Sequence, residues 1–121
     1  MADFKLNSPR QRKLIFDKYG GRCAYCGEEL LGGWHIDHIT PKHLLELETV
    51  KGLDIRDYCN PSCPSCNISK GGFRLEVWRQ ELEEKVFRMN RDSSNYRILK
   101  RFGLIQETGD GVIFYFERPL S

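Results

Sequence analysis

The chain has 121 residues, 40% hydrophobic and 12% aromatic, enough to build the core of one domain. No stretch approaches the roughly 18 consecutive apolar residues of a membrane-spanning helix, which excludes a helical membrane protein and points to a soluble one. A formal net charge of +2 excludes strong global attraction to a polyanion, so a nucleic-acid partner would have to be held by local charge or bound metal.

The first residues, "MADFKLNSPRQRK", lack the charged start and apolar run of a secretory signal, which predicts a cytoplasmic protein. Ser8 is placed to cap a helix that has Pro9 at its first position, carries Leu14, Ile15 and Phe16, and stops at Gly20 and Gly21. In "LLGGWHIDHIT" two short strands are expected to meet at the glycine pair. Alternation there would turn Asp37 and His38 to opposite faces unless the strand ends or twists near His38, and Pro41 gives it a reason to end. Residues 42 to 57 show no sustained period and read as an irregular loop with about one helical turn.

The segment "FRLEVWRQELEEKVFRM" spaces Leu75, Trp78, Leu82 and Val86 by three to four residues, predicting an amphipathic helix near 74 to 89 with Trp78 and Phe87 in its core stripe. "SSNYRILKRFG" predicts a shorter helix, capped by Ser93 or Ser94 and stopped by Gly103. Two apolar runs around Gly109, Asp110 and Gly111 predict a closing β-hairpin.

The chain carries five cysteines, and a reducing cytosol keeps thiols available for metals rather than disulfides. Cys23 with Cys26, and Cys63 with Cys66, form two CxxC knuckles, the spacing of one tetrahedral four-cysteine zinc site. A redox CxxC would need a thioredoxin-like βαβ context that the sequence does not display, and Cys59, apart from both pairs, reads as a buried thiol. Four thiolates around one Zn²⁺ would lower the net charge from +2 to zero. The zinc would act as a clip, drawing Asn67 and Lys70 of "NISKGG" toward Asp37 and His38. A carboxylate, an imidazole, a carboxamide and an ammonium are the groups that metal-assisted phosphodiester hydrolysis uses. Of the other histidines, His35 reads as a strand residue with satisfied hydrogen bonds and His43 as solvated.

The motifs "CAYCG", "HIDHITP" and "CNPSCPSCNISKG", in this order, resemble the HNH endonuclease family, whose hallmark is a ββα-metal finger. The resemblance implies an α+β fold: a zinc-clipped finger with an N-terminal helix, and a C-terminal helix plus β-hairpin. It implies one domain over 1–121, with the finger at about 20–90 and the extension at about 91–119. It further implies that Cys23, Cys26, Cys63 and Cys66 hold structural Zn²⁺, that Asp37 and Asn67 hold a catalytic Mg²⁺ or Mn²⁺, and that His38 is the general base acting on DNA. The family's middle asparagine commonly lies five residues before the third cysteine, where this chain has Tyr58; Asn60 is its nearest substitute. Lys70, Arg97, Lys100 and Arg101 are the expected phosphate contacts, and Arg10, Arg12 and Lys13 form a second basic cluster. A looser similarity to small phage and prophage members suggests a phage or mobile-element partner protein. The competing reading is a non-catalytic zinc-finger module that binds DNA or protein, which would have no need of Asp37, His38 and Asn67 together.

Overall fold

A computed structural model describes residues 8–45 and 51–119. Residues 1–7, on which the expectation about a secretory signal falls, residues 46–50 of the loop and residues 120–121 lie outside the described residues. Helix α1 spans Pro9–Asp17, and the Ser8 side chain accepts from the Gln11 N–H as expected of an N-cap. Strand β1 (His35–His38) pairs antiparallel with β2 (Cys59–Ser62), in a register that sets Asp37 opposite Asn60 and His38 opposite Cys59. Helix α2 is Pro64–Lys70, α3 is Leu75–Asp92 and α4 is Ser94–Arg101. Short 3-10 turns occupy Lys42–Leu44, Ile55–Asp57 and Tyr115–Glu117. The architecture is the expected α+β ββα arrangement.

Two strand expectations are corrected. The strand before the glycine pair does not form; residues 22 and 29 make an isolated bridge, and the partner of β1 comes from beyond the loop, as β2. The knuckle consumes its own backbone, with Cys23 N–H on Glu28 O and Leu30 N–H on Gly21 O, leaving no free edge for β1. The terminal hairpin is also absent among the described residues. Its second apolar run finds other partners: Val112 N–H donates to Glu83 and Val112 O accepts from Arg79, whereas Tyr115 and Phe116 donate to the carbonyls of Tyr25 and Ala24.

The residues form two compact units, one running to Leu75 and resuming at Ile113, the other Glu76–Val112. In the first unit, Ile15, Ile55 and Cys59 form a buried cluster flanked by Leu14, Trp34, Ile36 and Tyr58. Gly27 has φ of 80°, and a Cβ there would lie 2.8 Å from the Tyr115 ring, so only glycine allows the C-terminal segment to dock on the knuckle. In the second unit, the Ser93 side chain caps α4. Trp78 is buried as expected, but Phe87 is 66% exposed and leaves the core stripe.

Candidate active site

Two CxxC turns converge on one point. The Sγ atoms of Cys23, Cys26, Cys63 and Cys66 all lie within 4.8 Å of one another, and those of Cys26 and Cys63 are 3.8 Å apart. A tetrahedral zinc with bonds of about 2.3 Å places its sulfurs about 3.8 Å apart, so the cluster fits Zn²⁺. Cys63 is the N-cap of α2, its Sγ accepting from the Cys66 N–H, which turns both thiols of that knuckle to one side. A hydrogen bond from the Cys66 thiol, joined by backbone donors, lowers the Cys23 thiol to about 4. Burial raises the Cys26 thiol and the hydrogen bond to Cys23 raises that of Cys66, so the lowered value belongs to Cys23 and not to the cluster as a whole.

The clip sets α2 against β1. Asp37, His38 and Asn67 then line one open groove of about 360 Å³, together with Pro41, Lys42, His43, Gly71 and Gly72. Strand β1 ends at His38, so the two neighbours share the groove despite their alternation along the strand. Burial along β1 inverts the ordinary pattern: Asp37 is 8% exposed, whereas Ile36 is only half-buried. A strand that hides its carboxylate rather than its isoleucine is shaped by something other than core packing.

Asp37 is held by two donors. The Tyr25 hydroxyl donates to Oδ2 at 2.5 Å, and the Lys70 ammonium lies 3.1 Å from Oδ2 and 3.4 Å from Oδ1. Lys70 Nζ also donates to the His38 carbonyl at 2.9 Å. This corrects the expectation for Lys70. Fully buried and engaged with Asp37 and His38, it is a counter-ion inside the site rather than a surface phosphate contact. Burial, followed by the charge and hydrogen bond of Asp37, pushes the Tyr25 phenol well above the usual range, so it remains a donor.

Asn60 is 1% exposed, and its carboxamide is oriented at both ends. Oδ1 accepts from Lys18 Nζ at 2.8 Å, and Nδ2 lies 3.5 Å from the Tyr25 hydroxyl. Lys18 also donates to the carbonyls of Cys59 and Arg56, fixing the chain on either side of Tyr58. Tyr58 itself lies beside His38, with ring centroids 6.3 Å apart. His38 is half-buried, and desolvation, with the nearby charges of Lys42 and Lys70, holds its pKa below the usual histidine value against the opposing pull of Asp37.

The donor set fits a hard cation. Asp37 and Asn67 offer oxygen to the same groove, the preference of Mg²⁺ and Mn²⁺ rather than of a thiolate metal. Asp37 Oδ2 accepts from the Tyr25 hydroxyl and Lys70 Nζ lies within reach of both oxygens, which leaves lone pairs on the carboxylate for a further ligand bond.

The basic clusters are largely committed within their own units. Arg12 lies 4.1 Å over the Trp34 ring and donates to its carbonyl, and Lys13 pairs with Asp17. In the second unit, Arg97 donates to the carbonyls of Asn90 and Arg91 at the end of α3, and Lys100 pairs with Glu107 at 2.8 Å. Arg97 and Lys100 thus hold the two helices together, while Arg101 is exposed beside them along a shallow depression. His35 is exposed on β1, and His43, expected to be merely solvated, lies in the groove. Tyr25, Lys18 and Lys42 escaped the sequence reading. Tyr25 passes for a spacer of its CxxC, and no periodicity reveals which lysine reaches which carbonyl.

Among known proteins, residues 23–73 match the family model described as HNH endonuclease, which covers both knuckles, β1, β2, α2 and every groove residue named above. Neither the curated proteins nor the solved structures yielded a match.

Proposed function

We propose, from the premise that residues 23–73 are an HNH endonuclease domain, that this chain is a metal-dependent DNA endonuclease that nicks one strand at a time. The observation that carries the reading is the shared groove: Asp37 and His38 meet Asn67, distant in sequence, beside a four-cysteine cluster suited to structural zinc.

His38 acts as general base. Its lowered pKa keeps the imidazole neutral near pH 7, able to take a proton from the attacking water. Asp37 and Asn67 would hold Mg²⁺ or Mn²⁺, which when bound would supply polarisation of the phosphoryl oxygen and stabilisation of the departing 3′ oxygen. Lys70 binds the His38 carbonyl and the Asp37 carboxylate at once, fixing the spacing between base and metal ligand. Asn60 stands directly across the sheet from Asp37, where it takes the bracing role of the family's middle asparagine. Arg101 is the phosphate contact favoured by its exposure.

The products are 5′-phosphate and 3′-hydroxyl ends. Treating plasmid nicked by the protein with DNA ligase tests this: direct resealing supports the mechanism, and nicks that ligase cannot close until their ends are repaired contradict it.

A further inference from the structure

Tyr25 lies between two ligands of the zinc knuckle, yet its hydroxyl lies against the other metal site. Its ring is enclosed by Phe114 and Phe116, with centroids 5.6 and 6.1 Å away, and its carbonyl accepts from the Tyr115 N–H. The ring is 3% exposed and the hydroxyl reaches Asp37 Oδ2 at 2.5 Å. Behind it stand Asn60 Nδ2 at 3.5 Å and, on the far end of that carboxamide, Lys18 Nζ at 2.8 Å. One continuous series of side chains therefore runs from Lys18, at the C-cap of α1, through Asn60 and Tyr25 to the carboxylate. The phenol occupies a lone pair of Oδ2, and Lys70 Nζ lies 3.1 Å from Oδ2 and 3.4 Å from Oδ1 of this groove-lining carboxylate.

We propose that Tyr25 is the positioning residue of the catalytic-metal site: its hydroxyl fixes Asp37 in the rotamer that presents its carboxylate to a divalent cation, and thereby ties that site to the zinc knuckle. The proposal rests on the endonuclease reading. Partners that orient a ligating carboxylate commonly govern metal affinity by about 10- to 100-fold.

The test is Mn²⁺ binding to zinc-loaded protein, followed by the electron paramagnetic resonance signal of unbound Mn²⁺, for the parent and for Tyr25→Phe. The variant keeps the buried ring and removes only the hydroxyl. The expected result is one retained zinc and Mn²⁺ affinity weakened by about tenfold. Plasmid nicking should then need correspondingly more Mn²⁺ for half-maximal rate while approaching the parent rate at saturation, a split that loss of fold would not produce. Asn60→Ala, which leaves the phenol but removes its link to Lys18, should shift Mn²⁺ affinity the same way by a smaller factor, and it decides the matter if Tyr25→Phe fails to fold. Unchanged Mn²⁺ affinity in the folded variant, with a parent that binds and nicks, overturns the proposal and leaves the endonuclease reading standing. A zinc-loaded parent that binds no Mn²⁺ overturns both.

Discussion

Lys70 Nζ lies 3.1 Å from Asp37 Oδ2, with both side chains withdrawn from solvent. A buried ion pair costs desolvation of both groups, and losing one partner leaves the other charge uncompensated. Lys70→Met should therefore destabilise the zinc-loaded protein by about 3–5 kcal/mol in urea unfolding. Adding Asp37→Asn to that variant should recover part of the loss, since the stranded charge is gone. Independent, additive losses would show that the two groups do not act as a pair.

The zinc site contributes folding free energy directly. Cys63 holds both a zinc position and the N-cap of α2. Cys63→Ser should lose stoichiometric zinc and melt well below the parent, and chelation of the parent should have the same effect. A Ser variant that melts like the parent would remove the four-cysteine assignment.

Much of this was legible because short motifs report local chemistry. Ser8 and Pro9 announced α1, the paired CxxC announced the cluster, and the 3.6 period announced α3. What escaped was decided by long-range partnering. The two runs of "LIQETGDGVIFYFE" have every local mark of a hairpin, yet Arg79 with Glu83 claim the start of the second run and the knuckle carbonyls of Ala24 and Tyr25 claim its end. Lys70 looked like a phosphate contact because sequence shows a lysine near a helix and does not show that its stem is buried. Asp37 and His38 line one groove because β1 stops at His38, the ending that Pro41 suggested.

A pH dependence follows from the second unit. The Glu107 carboxyl accepts from Lys100, Asn90 and Tyr96, which hold its pKa below the ordinary value of 4.5. A depressed folded-state pKa gives stabilisation that is present above the unfolded value and lost as pH falls through the folded one. Amide exchange in α3 and α4 should therefore accelerate as pH is lowered below 4.5, after correction for intrinsic rates, and Glu107→Gln should flatten that dependence. An unchanged profile in the variant would assign the acid sensitivity elsewhere.

The central claim is that His38 performs base catalysis in a groove built for a divalent ion. Nicking of supercoiled plasmid by zinc-loaded protein, with and without Mg²⁺ or Mn²⁺, beside His38→Ala, tests it most directly. The account predicts metal-dependent nicking in the parent and a loss of about 100- to 10,000-fold in the variant, with fold and zinc content unchanged. Folded protein carrying one zinc that nicks with neither metal, or a His38→Ala variant that cuts at the parent rate, would contradict it; the first result would favour a zinc-finger binding module.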